Sequence, residues 1–403
     1  MISLTFLPLN NLADTHYLKM KTKALDRFKE IETYVLELQS LQAKPVFPEA
    51  EIKVATAGFR KSTADAIAPA KTPFPNFDLY KDCLDILGKL KTNFDTTLKG
   101  TPRQIDSLVN ELKPFLTKYH GNGKKFSFQL PFRHFIECLK YIWDYGDFID
   151  IQTNPLKYDA YTLAKDLSVS TCPYCNRAFT FTVIIDDTSG KKTKQNKIIR
   201  PQFDHFYSKS RYPFLGIAFY NLVPSCSICN STLKGETEMS IDTHCHPYVE
   251  GYEDVYFFET GVSVKDYLAK GKPPLAIKFN PRGTANSKLK GRAKATHEVF
   301  EISTIYPYHA DIAEEMFLRS TEDSEKVIDS YWNQISAGGK YMFSHKHEVY
   351  RHFIGNFYMT SDFYKRPLSK FQHDILKETK LVDYIKNLPD RPDPSKVVPL
   401  NKV

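Results

Sequence analysis

The sequence predicts a mainly α-helical protein that carries one small ββα-metal module stapled by a four-cysteine zinc site. Three observations carry this prediction. Over most of the chain apolar residues recur three and four apart with Lys and Glu between them, the pattern of helices buried on one face. Two Cys-x-x-Cys pairs, Cys172/Cys175 and Cys226/Cys229, are separated by 50 residues. The two-residue gap lets both sulfurs of a tight turn face one ion, so the pairs can give four thiolates to one tetrahedral Zn²⁺. Finally, the stretch between the pairs holds a run of β-branched and aromatic residues, Phe179 to Ile185, which suits a strand.

At 403 residues and 46.5 kDa, with 42% apolar residues, the chain exceeds one average domain and has ample material for a core. We expect three units: residues 1–165, a helical docking or regulatory region with a Pro-rich link near 43–76; 166–250, the zinc module; and 251–403, mixed then helical, ending in a loose tail. The net charge is +8, and between Cys172 and Gly235 nine Lys or Arg stand against three Asp. The positive balance therefore gathers around the paired cysteines, where a polyanion would need it, although Lys191, Lys192, Lys194 and Lys197 read equally well as a solvated loop. No apolar run has signal-peptide form and none approaches a membrane span. Seven cysteines, four of them in the paired motif, fit a reduced cytoplasmic setting, with Cys83 and Cys138 as inert core thiols.

Taken in order, residues 15–42 read as a long amphipathic helix with Leu18, Leu25, Phe28, Ile31, Val35 and Leu38 on its apolar face. Pro45, Pro48, Pro69, Pro73 and Pro75 make 43–76 an extended connection. Thr101-Pro102-Arg103-Gln104 reads as a capping box opening a helix with Ile105, Leu108, Leu112 and Phe115 buried, which Pro114 should bend or end. Further helices are expected over 131–145 and 156–167. His16, His120 and His134 are isolated and read as ordinary surface or core histidines. A first strand over 179–185 and a second over 198–203, which delivers Asp204 and His205, form a hairpin, and a helix begins at the second cysteine pair. After Gly235 come strands at 255–259 and 275–279, a basic run from Arg282 to Lys294, helices over 310–318, 324–335, 341–357 and 367–385, and a tail from Pro389.

Hydrolysis of a phosphodiester needs a base for the attacking water and a cation for the developing charge. Adjacent residues at a strand end point to opposite sides, so Asp204 and His205 can divide those tasks. Asp-His alone is a weak motif. Its position between the two cysteine pairs, with Asn221 before the second pair and Asn230 directly after Cys229, strengthens it.

The pattern Cys-x-x-Cys, Asp-His, Asn-Leu, Cys-x-x-Cys-Asn resembles the HNH endonuclease superfamily in its four-cysteine, treble-clef form. The resemblance implies His205 as general base, Asp204 and Asn230 as ligands of a catalytic Mg²⁺ or Mn²⁺, Asn221 as the residue pinning the loop that orients His205, and Lys209, Arg211 and Lys234 as phosphate contacts. Where the family often has His, this chain has Asn230, an oxygen ligand that favours a hard cation. His244 or His246 is then a candidate further ligand, with a surface histidine pair as the plain alternative. Thr171 to Asn176, Phe203 to Pro213, Tyr220 to Asn230 and Arg366-Pro-Leu-Ser-Lys370 are also similar to the HNH subunits of Septu-type anti-phage systems, retron-linked ones included. That likeness implies a DNA substrate, with RNA as an alternative, an ABC-like ATPase partner and a role in antiviral defence. The competing reading is a zinc module that binds nucleic acid or a protein without catalysis. A redox Cys-x-x-Cys role is disfavoured, because two pairs at zinc spacing occur in one module with no thioredoxin-like context.

Overall fold

In the computed structural model the described residues are 2–42, 77–121, 126–150, 157–187, 189, 194–281, 286–336 and 339–389. The first helix, α1 (Leu9–Gln42), is the longest of those described. Its buried face runs through Ala13, Tyr17, Met20, Ala24, Phe28, Ile31 and Val35. Leu18, expected on that face, is 70% exposed, and Leu25 packs only partly. The stripe passes through two alanines instead, where a small side chain lets neighbouring elements approach. The predicted Pro-rich link falls outside the described residues, as does the side chain of Leu38.

Helix α2 (Phe77–Thr92) precedes α3 (Pro102–Lys118), whose first turn bears out the capping box: the Gln104 amide N–H donates to Thr101 Oγ1 and the Thr101 N–H to Gln104 Oε1 at 2.9 Å. Pro114 neither ends nor breaks α3. It lies on the exposed face with Asn110, the residue whose carbonyl its ring leaves without a partner, and there water can satisfy that carbonyl. The helix expected over 131–145 is two, α4 (Leu130–Ile142) and α5 (Tyr145–Ile149). They part at Trp143, whose buried indole N–H donates to Thr97 Oγ1 at 2.9 Å, and Asp144 caps α5. Asp159 caps α6 (Ala160–Leu167).

The strands are paired differently from the expectation. Strand β1 (Val183–Asp187) is antiparallel to β2 (Lys194–Ile199), while β3 (Gln202–His205) pairs with β4 (Leu222–Ser225), so that Asp204 lies opposite Val223 and His205 opposite Leu222. The run expected as one strand over 198–203 is cut at Arg200-Pro201, where proline has no N–H for a ladder. Phe179 makes only an isolated bridge to Thr171, and with Phe181 it is exposed. The strands that frame Asp204 and His205 are therefore β3 and β4, followed at once by a π-type helical segment, α7 (Ile228–Lys234). Of the supposedly solvated lysines, Lys197 is buried and ion-paired with Asp159, tying the β1–β2 hairpin to α6. Lys191, Lys192 and the side chain of Lys194 lie outside the described residues.

Beyond the module, β5 (Tyr256–Glu259) pairs with β6 (Lys278–Pro281). In the basic run, Lys288 to Lys294 lie on α8 (Ser287–Val299), and Arg292 is spent on both oxygens of Glu250 at 2.7 and 2.8 Å. Arg282 is not among the described residues. Helices α9 (Ala310–Leu318), α10 (Glu322–Asn333), α11 (Lys346–Ile354), α12 (Ser369–Glu378) and α13 (Leu381–Lys386) complete the chain. The last two, expected as one helix, are parted by Lys380 at φ 67°. The tail beyond Pro389 is not described. One continuous apolar core runs from Leu4 to Leu388, so the three expected units share it. Cys83 and Cys138 are buried in it, and burial pushes both thiols up.

Candidate metal and catalytic site

Each cysteine pair sits in a turn whose backbone N–H groups aim at sulfur: Arg177 N–H to Cys175 Sγ, and Cys229 N–H to Cys226 Sγ, both at 3.4 Å. The four Sγ atoms lie within 4.8 Å of one another, with Cys175 and Cys226 at 4.0 Å. A Zn–S bond of about 2.3 Å implies a tetrahedral edge of about 3.8 Å, so the cluster is the right size for one Zn²⁺. The S–H of Cys172, chiefly, draws the Cys226 thiol far down, whereas burial holds the Cys172 thiol up. Four thiols in one dry place cannot all ionise without a cation.

The first turn is also clasped from the far end of the sequence. The Asn176 side-chain amide donates to the Phe363 carbonyl at 2.9 Å, its carbonyl oxygen accepts the Lys370 N–H at 3.1 Å, and the Leu368 N–H donates to the Asn176 backbone carbonyl at 2.6 Å. The Arg366-Pro-Leu-Ser-Lys370 motif is thus a structural clamp. Lys370 is buried against Asp374 and the Glu253 carbonyl.

Asp204 and His205 leave β3 on opposite sides. Asp204 faces α7, as does Gln202 two residues earlier. Asn230 donates to Gln202 Oε1 at 2.8 Å, and one turn on Lys234 reaches Asp204. The Lys234 ammonium is surrounded by four oxygens: Asp204 Oδ1 and Oδ2 at 2.8 and 2.9 Å, and the His205 and Phe206 carbonyls at 2.5 and 3.3 Å. Tyr174 adds an O–H donor to Asp204 Oδ2 at 2.7 Å, and both charged side chains are only 4% exposed.

Two expectations are corrected by this arrangement. Lys234 is not a phosphate contact, because its charge is buried and neutralised. Asp204 and Asn230 lie on the same side of β3, as a shared metal ion requires, but they do not fit a divalent ion as folded. The one carboxylate is already balanced by an ammonium, and the Asn230 amide is turned to Gln202.

His205 faces the N-terminal helices. Its Nε2 meets the Gly216 carbonyl at 2.9 Å, which makes Nε2–H the donor and leaves the lone pair on Nδ1. No hydrogen bond to Nδ1 is found among the described residues, and the residue as a whole is 8% exposed. The Tyr145 ring stands edge-on to the imidazole, with centroids 4.5 Å apart. Burial, then Lys209, depress the basicity of His205 to a pKa of about 3, against a smaller upward pull from the Gly216 carbonyl.

Asn221 bridges the loop after His205. Its Oδ1 accepts the Tyr207 N–H at 2.7 Å, and its amide donates to the Tyr207 and Leu215 carbonyls at 3.0 and 3.1 Å, drawing the two ends of the loop after His205 together. Lys209 is exposed, with its ammonium 4.1 Å from the centre of the Tyr145 ring. Arg211 is half-buried over Phe126 and near Glu238, which removes part of its value as an anion contact. His246 is corrected as a ligand. Its Nε2 donates to the Tyr220 carbonyl at 2.9 Å and its Nδ1 accepts the Tyr248 N–H at 3.2 Å, leaving no lone pair for a metal. His244 bonds Thr243 Oγ1 at 2.8 Å.

No family model matches the chain, and no solved structure does. It is similar to Protein ea31 of Escherichia phage lambda, 29% identical over 132 residues. The match takes in 32% of this chain and 43% of the phage protein.

Sequence reasoning missed three participants. Tyr174 hides inside the first Cys-x-x-Cys as a spacer, Gly216 acts through its carbonyl, and Tyr145 comes from a helix 60 residues upstream of His205. His16, read as an isolated histidine, is fully buried and bonds the Ile217 carbonyl at 2.7 Å. Nothing in local spacing points to these four. The capacity of Lys234 to neutralise Asp204 was not legible, because the resemblance assigned that lysine to phosphate.

Proposed function

We propose that this chain is a phosphodiester hydrolase of the HNH kind that cleaves DNA, with His205 as its general base. The observation that carries this reading is the His205 imidazole. It is fixed in one tautomer by the Gly216 carbonyl, its Nδ1 has no hydrogen-bond partner among the described residues, it stands at the end of a strand whose partner β4 leads into the second cysteine pair, and the exposed Lys209 shares the Tyr145 ring with it. A neutral imidazole of that tautomer can take a proton from water at Nδ1, and Lys209 supplies positive charge where a phosphate would sit. An approaching phosphate would also raise the basicity that Lys209 depresses.

The four-cysteine cluster fits a structural zinc that holds β4 and α7 to the first knuckle, and no step of the reaction is asked of it. A partner of ABC-like ATPase type and a role in anti-phage defence rest on the resemblance alone. The lambda match, to a phage protein of unstated activity over under half of its length, lends them no support.

The test is cleavage of supercoiled plasmid by wild type and His205→Ala, with Mg²⁺, with Mn²⁺ and in EDTA. The expected result is cutting by wild type and loss of at least about 100-fold in the variant, with zinc content unchanged. Equal cutting by the two proteins removes His205 from the role of base. A second reading, a zinc module that binds nucleic acid without cutting it, is favoured by the neutralised Asp204, and inactivity of wild type in every condition with retained DNA binding would select it.

A further inference from the structure

The reading of His205 as a base gives no part to the N-terminal helices, yet they touch the base loop at four places. Tyr207 O–H donates to Asp106 on α3 at 2.6 Å. His16 on α1 bonds the Ile217 carbonyl. Gly216 lies against the Trp143 carbonyl so closely that a Cβ there would stand 2.6 Å from that oxygen. Tyr145 meets the imidazole itself.

The last two converge on one function. Gly216 offers the carbonyl that sets the His205 tautomer, and its Cα packs against the Trp143 carbonyl with no room for a side chain. Two residues along the chain, the Tyr145 ring touches both the His205 imidazole and the Lys209 ammonium, 4.5 and 4.1 Å from its centre. The segment is itself held from α1: Lys23 pairs with Asp147, and Arg27 lies 3.6 Å from Asp144. We infer that Tyr145 is a positioning residue, and that through it and Trp143 the N-terminal helical layer orients His205 and Lys209 toward a common phosphate. This rests on the nuclease reading for its consequence in catalysis and on geometry alone for its consequence in orientation.

The ring, and not the phenol oxygen, makes both contacts. Tyr145→Phe should therefore preserve them, and Tyr145→Ala should release the imidazole to rotate and the lysine to wander. Two readouts are needed on the full zinc-loaded chain. One is the ¹⁵N chemical shifts of His205 at neutral pH, which distinguish the Nε2–H from the Nδ1–H tautomer. The other is kcat and KM for cleavage of a DNA oligonucleotide.

In wild type and Tyr145→Phe the Nε2–H form should dominate, with equal kinetics. Tyr145→Ala should give a mixture of tautomers, a kcat lower by about tenfold or more and a raised KM. Wild-type shifts together with wild-type kcat in Tyr145→Ala would overturn the proposal. Should wild type prove unable to cut, the shifts decide alone: a mixture in Tyr145→Ala supports the positioning role while the nuclease reading fails, and no change sinks both. If alanine unfolds the chain, Tyr145→Leu, which fills the space without an aromatic edge, is read by the same two measurements.

Discussion

The two faces of β3 hold the same kind of side chain, a titratable group at the end of a short strand, and treat it in opposite ways. On the α7 side, Asp204 accepts from one ammonium and one phenol, and its side chain is 4% exposed. On the side of the N-terminal helices, His205 has one nitrogen fixed and the other without a hydrogen bond among the described residues. Burial of a charge is tolerated only with its counter-charge, so the Asp204 face is built to hold the module together. Burial of a neutral imidazole needs only one hydrogen bond, so the other face can keep a reactive atom available. The difference teaches that adjacency of Asp and His in sequence does not make them partners in one reaction.

The largest way to break this comparison is to remove what carries both faces. Cys172→Ala, or exhaustive chelation, should strip the metal and unfold the module, since structural zinc contributes on the order of 10 kcal/mol to units of this size. Metal content by mass spectrometry and a thermal melt check it, and a zinc-free protein with an unchanged melt would contradict it. Next, Lys234→Met leaves the Asp204 carboxylate buried without its counter-charge and should cost about 3–5 kcal/mol in urea unfolding. Adding Asp204→Asn to Lys234→Met should recover most of that loss, because the stranded charge is then gone.

Acid should act on the histidine side. Burial lowers the pKa of His16 from 6.5 to about 4, so the folded state binds fewer protons than the unfolded chain between those values. The stability it contributes is therefore complete above pH 6.5 and is lost as the pH falls toward 4. By linkage the loss is on the order of 3 kcal/mol. In His16→Gln the stability curve should be flatter across that window, and an identical curve would show that other groups govern it. The smallest effect belongs to the exposed cation: Lys209→Ala should change stability by less than about 0.5 kcal/mol while reducing the salt dependence of DNA binding by about one unit of slope.

What was legible in the sequence follows the range of the physics. The four-cysteine cluster, the α3 capping box and the 310–318 helix depend on residues close together or on one chemistry with a fixed geometry, and they were read correctly. The resemblance singled out Asn221, whose hydrogen bonds reach Tyr207 and Leu215. Strand pairing was misread because the nearest apolar run, 179–185, looks as good a partner for β3 as Leu222–Ser225, and pairing energy is decided by tertiary packing. The Lys234 pairing and the Tyr145 contact were hidden for the same reason. Both join residues 30 or more positions apart, and no periodicity encodes which charged or aromatic side chain will be opposite which.

Whether the Asp204–Lys234 pair closes that face of β3 to a metal ion is decided by Mn²⁺ binding followed by electron paramagnetic resonance on the zinc-loaded chain. Wild type should show no stoichiometric Mn²⁺ that depends on Asp204, and Lys234→Met should gain one. A single tight Mn²⁺ in wild type that Asp204→Asn abolishes would contradict that closure and return Asp204 to the role of a metal ligand.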